Sequence, residues 1–202
     1  MTRIIAGRAG GRRLAVPQRG TRPTTDRVRE AMFSTIDSQV MNGQSGWSSV
    51  HVLDLFAGSG ALGLEALSRG ATSAVFVELQ AEAARVLKAN IAAVDLPGAT
   101  LLRRDVRTLA KDPTAATEAT LCLVDPPYDL PAEHVAALLQ ALADRGWFAQ
   151  DCLLVVEASA ARGQSPLPVA AQGTSRRVYG DTAVWYGRIA PSDSIGDSSH
   201  RA

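Results

Sequence analysis

Short apolar runs alternate with segments of helical periodicity through most of this chain, from residue 50 onward. Because these runs are apolar throughout rather than at every second residue, each strand must be covered on both faces, as happens when helices connect parallel strands. The alternation therefore predicts an α/β fold with a mostly parallel sheet between two layers of helices. Strands are expected at 50–56, 74–77, 100–102, 121–124 and 153–156, and helices at 61–68, 81–94 and 132–142.

The C-terminal part of the chain departs from this alternation. Residues 176–179 and 182–189 flank Gly180-Asp181, a two-residue turn that suits an antiparallel hairpin. Residues 191–202 are polar and rich in serine, which is typical of a disordered tail. The sheet is thus expected to end in an antiparallel strand, with a tail beyond it.

The N-terminal part also has its own pattern. Residues 3–6 and 12–16 flank a glycine-rich centre and predict a short hairpin. Thr24 and Thr25 can cap a helix whose apolar residues recur at helical spacing. Those apolar residues are Val28, Met32 and Ile36.

A turn-rich linker at 42–49 separates this N-terminal part from the alternating region. A length of 202 residues suits one domain with small additions. We expect an extension at 1–45, a main domain at 46–190 and a tail at 191–202. No apolar run approaches the roughly 18 residues that a membrane helix needs, so we expect no membrane partner and a cytoplasmic protein.

The charge is distributed unevenly along the chain. Residues 1–30 hold eight arginines and two acids, a net charge of +6, which leaves 13 basic and 18 acidic residues, or −5, for the rest. Such asymmetry favours a segment that binds a polyanion such as RNA. A transit peptide is disfavoured because glycines interrupt any amphipathic helix there. The candidate RNA-binding residues are Arg3, Arg8, Arg12, Arg13, Arg22 and Arg27.

A glycine-rich loop follows the first strand of the main domain. Gly58, Gly60 and Gly63 form a Gly-x-Gly-x-x-Gly pattern at a strand-to-helix turn, where bare backbone can approach a nucleotide. Glu78 ends the next strand and can accept the hydroxyls of a ribose. Asp54 would repel a pyrophosphate but attract the cationic groups of S-adenosyl-L-methionine. The pattern therefore favours this methyl donor, although Asp54 could also simply bind loop amides.

The sequence Asp125-Pro126-Pro127-Tyr128 follows the fourth strand, at the edge where parallel sheets bind ligands. The exocyclic amine of a nucleobase is a weak nucleophile because its lone pair is delocalised. Hydrogen bonds from the amine to the Asp125 carboxylate and the Pro126 carbonyl would favour a pyramidal nitrogen, and Tyr128 would stack on the base. These three residues are the candidate catalytic residues.

The motifs together resemble a known family. Residues 53–70 and 125–128 are similar to class I adenosylmethionine-dependent methyltransferases. Residues 3–7, 179–182 and above all 22–30, Arg-Pro-Thr-Thr-Asp-Arg-Val-Arg-Glu, resemble the RsmD-type bacterial 16S ribosomal RNA (guanine-N2)-methyltransferases.

The resemblance spans roughly residues 3 to 189 and carries several implications. It implies a Rossmann-like sheet of seven strands with an antiparallel last strand, and it implies transfer to the N2 of a guanine in 16S rRNA. The RNA would be presented by the small ribosomal subunit or an assembly intermediate, and S-adenosyl-L-homocysteine would be the product. By the same resemblance Asp105 would contact the adenine of the donor. No metal is expected.

Three other functions remain open at this point. A DNA adenine-N6 methyltransferase could use the same Asp-Pro-Pro-Tyr chemistry, although no separate DNA-reading domain fits in this length. A non-catalytic RNA-binding assembly factor could retain the fold. An NAD-linked oxidoreductase is disfavoured by Asp54. Cys122 and Cys152 lack metal-ligand spacing and are expected to be buried thiols in a reducing compartment.

Overall fold

The computed structural model describes residues 2–17, 25–41, 46–111 and 118–190. Within these ranges the chain forms a two-stranded N-terminal hairpin and a seven-stranded sheet flanked by helices. The strands are β1 (Thr2–Arg3), β2 (Arg13–Leu14), β3 (His51–Leu55), β4 (Ser73–Val77), β5 (Ala99–Leu102), β6 (Ala119–Val124), β7 (Phe148–Ser159), β8 (Ala171–Tyr179) and β9 (Thr182–Ile189). The α-helices are α1 (Asp26–Met41), α2 (Ala61–Arg69), α3 (Ala81–Val94), α4 (Val106–Leu109) and α5 (Ala132–Ala143).

The large sheet has the strand order β5-β4-β3-β6-β7-β9-β8. Strands β3 to β7 are parallel to one another, and β9 is antiparallel to both β7 and β8. In register, Leu55 pairs with Val77 on one side and Val124 on the other, so three strands end at the same level. The predicted fold class is confirmed, and the loops that carry the sequence motifs leave one edge of the sheet.

Apolar side chains cover both faces of this sheet. On one face Phe76 and Leu64 pack together with Phe33 of α1 and with Ile4 and Leu14 of the hairpin. On the other face the cluster includes α5 residues such as Leu139 and both cysteines, which are free and buried. Burial raises the pKa of each thiol. The N-terminal hairpin and α1 thus share a core with the sheet.

Several elements differ from the sequence expectations. Strand β7 begins at Phe148 rather than near residue 153, and α4 was not predicted because it is only one turn long. The part of the expected linker that the structure describes is a 3-10 helix, Gly46–Ser49, whose Trp47 is buried and donates to Asp37 at 2.9 Å.

The rest of the expected linker, at 42–45, lies outside the described residues, as do Thr24, Arg22 and the tail 191–202. Thr25 caps α1 as expected, since its hydroxyl accepts from the Val28 amide at 3.3 Å. Within the described ranges, no helix is long and apolar enough to cross a membrane.

Candidate active site

A cavity of about 1020 Å³ lies at the carboxyl edge of the sheet. Its walls come from the residues that follow β3, β4, β5 and β6, together with Val16 and Pro17 after the hairpin. Ligands bind at this edge of parallel sheets because the loops there converge on the crevice between neighbouring strands. The predicted site residues Asp54, Gly58, Glu78, Asp105, Asp125, Pro126 and Tyr128 all line this cavity.

The glycines of the loop have different roles. Gly58 has φ +54, and a Cβ there would meet no atom closer than 3.9 Å. Gly60 also has a positive φ, +80, but a Cβ on it would lie 2.2 Å from Leu87 of α3. Gly58 therefore opens space in the cavity, whereas Gly60 allows the helix to pack closely and is not part of the cavity wall.

Glu78 holds the glycine loop in place. Its two carboxylate oxygens accept from the amides of Gly58 at 2.8 Å and Gln80 at 2.6 Å, and the residue is 8% exposed. A carboxylate has about four lone-pair sites, so two bonded amides leave capacity for further donors. The hydroxyls of a ribose are donors of the right kind.

Asp54 is buried beneath the same loop. Its Oδ2 atom accepts from the Gly63 amide at 2.9 Å. Burial, and to a lesser degree the nearby charge of Glu78, raises the pKa of Asp54 to about 7 against the opposing effect of this hydrogen bond. Asp54 therefore binds the Gly63 amide, in agreement with the alternative interpretation that it binds amides of the glycine motif. It also lines the cavity, where it could attract a cation.

Asp105 stands at the start of α4. Its carboxylate accepts from the Arg107 amide at 2.9 Å and also binds the Arg107 guanidinium, which lowers the pKa of Asp105. These contacts occupy much of its carboxylate. A contact to an adenine amine at this position stays a prediction.

The Asp125-Pro126-Pro127-Tyr128 segment leaves β6 and turns sharply. The Pro127 carbonyl accepts from the Leu130 amide at 2.9 Å, which closes the turn. Among the described residues, no backbone hydrogen bond ends on the Pro126 carbonyl. Tyr128 lines the cavity and is 41% exposed. The segment thus presents to the cavity the Pro126 carbonyl, to which no described backbone amide donates, and an aromatic ring.

The N-terminal hairpin is fixed to the main domain by side chains that the sequence motifs do not include. Glu65 of α2 accepts from the amides of Ile5 at 2.6 Å and Ala6 at 3.1 Å. Asn90 of α3 exchanges two hydrogen bonds with Ala15, each 2.9 Å long, and donates at 2.8 Å to the Ser59 carbonyl in the glycine loop. The hairpin is therefore fixed to the main domain, and Asn90 bonds both the residue after the hairpin and the loop of the site.

The arginines of this region fall into two groups. Arg8, Arg13 and Arg27 are exposed, and Arg3 is exposed beside Asp26, at 3.3 Å. Two other arginines, Arg12 and Arg29, form contacts within the protein. Their charge alone could not distinguish them from the first group.

Arg12 donates to the carbonyls of Ala93 and Val94 at 2.7 and 2.9 Å, so it caps the C-terminus of α3. Arg29 is buried and binds Asp26 at 2.8 Å, and desolvation lowers its pKa against the opposing charge of Asp26. Replacing Arg12 would therefore disturb the fold as well as any RNA contact. Glu65 and Asn90 were missed because their partners in the hairpin are distant in sequence. The role of Arg29 was missed because, besides its local contact with Asp26, it donates to the distant Arg3 carbonyl.

A family model described as conserved hypothetical protein 95 matches residues 2–188. The chain belongs to this family. Ribosomal RNA small subunit methyltransferase D of Escherichia coli K12 is 34% identical over 197 residues, which is 96% of this chain and 94% of that protein. Ribosomal RNA small subunit methyltransferase D of Haemophilus influenzae is 34% identical over 158 residues, 77% of either chain.

Solved structures agree with this assignment. The structure of yhhF from Escherichia coli has a TM-score of 0.79 at 31% identity and covers 93% of this chain and 97% of its own. The protein TTHA0928 of Thermus thermophilus has a TM-score of 0.75 at 32% identity, with 92% and 98% covered. The RsmD-type resemblance is confirmed, and the chain is a methyltransferase with the class I fold.

Proposed function

We propose that this chain transfers a methyl group from S-adenosyl-L-methionine to the exocyclic N2 of a guanine in 16S rRNA. The RNA would be held in the small ribosomal subunit or in an assembly intermediate, which would place the enzyme in the cytoplasm. The name of the Escherichia coli relative supports a ribosomal RNA substrate. The observation that carries the proposal is that the Asp125–Tyr128 segment and Glu78 open into one cavity.

The residues near the glycine loop fit the methyl donor. S-adenosyl-L-methionine supplies an electrophilic methyl group on a sulfonium and leaves as S-adenosyl-L-homocysteine. Glu78 has lone pairs left for the ribose hydroxyls, and Gly58 leaves room for the ligand beside bare backbone. The Asp54 carboxylate favours a cationic ligand. Asp105 would contact the adenine.

The residues after β6 fit the acceptor base. Asp125 and Pro126 would accept the two N–H groups of the amine, and Tyr128 would stack on the base and align it. Orientation and electrostatics account for this step, in which the amine nitrogen bonds to the methyl carbon while the carbon–sulfur bond breaks.

The exposed arginines fit the RNA backbone. We assign this contact to Arg3, Arg8, Arg13 and Arg27, with Arg12 at the hairpin and Arg22 beyond the described residues. In this proposal residues 1–45 form an RNA-binding extension of the catalytic domain at 46–190.

The test measures methyl transfer from labelled donor to small subunits taken from cells that lack this activity. The wild-type chain should label the 16S rRNA, and Asp125→Ala should lower kcat by about 10²- to 10³-fold, the usual cost of losing one transition-state hydrogen-bond partner. Asp144→Ala is the matched control, because it makes the same replacement at an exposed aspartate. The side chain of Asp144 binds Gln140.

The alternative functions give different results in the same assay. Labelling of duplex DNA in place of rRNA would favour an adenine-N6 methyltransferase. Tight binding of small subunits without any transfer would favour a non-catalytic assembly factor. Either result would overturn the proposal.

A further inference from the structure

Glu157 lies next to the proposed catalytic segment but has no part in the function described so far. It is 1% exposed, near the end of β7. Val156 pairs with Val124, the residue before Asp125, so the sheet register brings Glu157 level with the start of that segment. Burial of a carboxylate is costly unless hydrogen bonds compensate it. The groups that bind Glu157 therefore matter for its role.

One of these groups is the hydroxyl of Tyr128, which donates to Glu157 Oε1 at 3.0 Å. Burial is the main cause that raises the pKa of Tyr128, so the hydroxyl keeps its proton at neutral pH. The polar end of the ring is thus held against β7, while 41% of the residue stays exposed.

We propose that Glu157 is a positioning residue for methyl transfer, which fixes the Tyr128 ring by accepting its hydroxyl. A stacked base can align only as well as the ring beneath it, and a hydrogen bond to a charged acceptor at the far end of the ring restricts its rotation. The inference rests on the proposed function, because it needs Tyr128 to contact the base.

Three variants separate this role from a merely structural one. Tyr128→Phe keeps the ring and removes the hydrogen bond, and Glu157→Met removes the acceptor at similar side-chain length. Glu157→Gln keeps an acceptor oxygen. We expect Tyr128→Phe and Glu157→Met each to lower kcat about ten-fold through loss of alignment, with KM for the donor unchanged. Glu157→Gln should keep most of the activity.

A double-mutant cycle tests the link directly. The double variant Tyr128→Phe with Glu157→Met should be no slower than the slower single variant, because both changes break the same bond. Losses that multiply to about a hundred-fold would show independent roles and overturn the inference.

Thermal unfolding of each variant distinguishes folding from positioning. If Glu157→Met does not fold, Tyr128→Phe alone still tests the inference. A wild-type kcat in Tyr128→Phe would overturn it. If the wild-type chain transfers no methyl group to any RNA, the proposed function fails and the inference fails with it. If the wild type is active and only the variants deviate from expectation, the inference alone fails.

Discussion

The cavity and the N-terminal hairpin are neighbours with opposite charge. The cavity wall contains six carboxylates, among them those of Asp54, Glu78 and Asp125, against three arginines, whereas the hairpin exposes Arg8 and Arg13. Val16 and Pro17 join the two, since they follow the hairpin and line the cavity. A cationic methyl donor and an anionic RNA would therefore each meet the opposite charge, only a short distance apart.

The two regions also differ in how their side chains are held. Asp54 and Glu78 are buried and each accepts a backbone amide, so their positions are fixed before any ligand binds. In the hairpin the backbone is fixed, by Glu65 and Asn90, while the side chains of Arg8 and Arg13 reach solvent. Changes in the cavity should thus affect donor binding and catalysis, and changes in the hairpin should affect RNA affinity and its salt dependence.

Among the cavity residues, the largest effect after that of Asp125→Ala is expected for Tyr128→Ala. Loss of stacking, worth about 1 to 3 kcal/mol per base, combines with loss of alignment, so kcat should fall about 10²-fold. Donor affinity, measured by calorimetry, should stay close to wild type. Equal losses in Tyr128→Ala and Tyr128→Phe would show that the hydroxyl matters and the ring face does not.

A smaller effect is expected for Glu78→Ala on donor binding. The ribose hydroxyls would lose a charged acceptor, which should weaken S-adenosyl-L-methionine binding by about 1 to 3 kcal/mol. Glu78→Gln should lie between Glu78→Ala and wild type because it keeps one acceptor oxygen. Unchanged affinity in calorimetry, with the circular dichroism spectrum intact, would place Glu78 outside the donor site.

The hairpin is tested by replacing Arg8 and Arg13 together with alanine. If both contact phosphates of single-stranded RNA, the slope of log affinity against log salt should become less steep by about 1.4, because each contact contributes about 0.7. Small-subunit binding should weaken about ten-fold at low salt, while donor affinity should not change. Arg12 is left in place because it caps α3.

Arg145→Ala is the control for this experiment, since Arg145 is exposed just beyond the end of α5. It removes one positive charge without touching the hairpin. A double variant that loses thermal stability but keeps the affinity and salt slope of wild type would show that the hairpin only covers the core.

The smallest expected effect is the pH dependence of the affinity for the methyl donor. Burial raises the pKa of Asp54 to about 7, so much of this carboxyl is protonated in the free protein below that pH. A cationic donor favours the charged form, and its affinity should therefore rise several-fold between about pH 6 and about pH 8.

Asp54→Asn should flatten this rise, and comparison with wild type cancels the titration of the donor itself. The raised pKa also means that Asp54 binds more protons in the folded than in the unfolded chain, so its contribution to stability falls as pH increases from about 4 to about 7. A pH profile of affinity that is identical in both proteins would contradict the role of Asp54.

Much of the fold could be predicted because the signals are local. The glycine loop, Asp125–Tyr128 and the turn at Gly180 each indicate a strand end within a few residues. The early start of β7 was missed because the polar residues Gln150 and Asp151 interrupt the apolar pattern.

The contacts that refine the site are not local. Tyr128 and Glu157 are 29 residues apart and meet only through the register of the sheet. Arg12 reaches a carbonyl 81 residues away. Composition could show that the N-terminal segment is basic, but only packing could show which arginines are occupied.

The identity of the methylated nucleoside tests the central claim most directly. Small subunits that lack the modification are incubated with the wild-type chain and labelled S-adenosyl-L-methionine, and the 16S rRNA is digested and analysed by mass spectrometry against nucleoside standards. We expect N2-methylguanosine at a single position, absent with Asp125→Ala. Label on any other atom, or on another base, would contradict the proposed function.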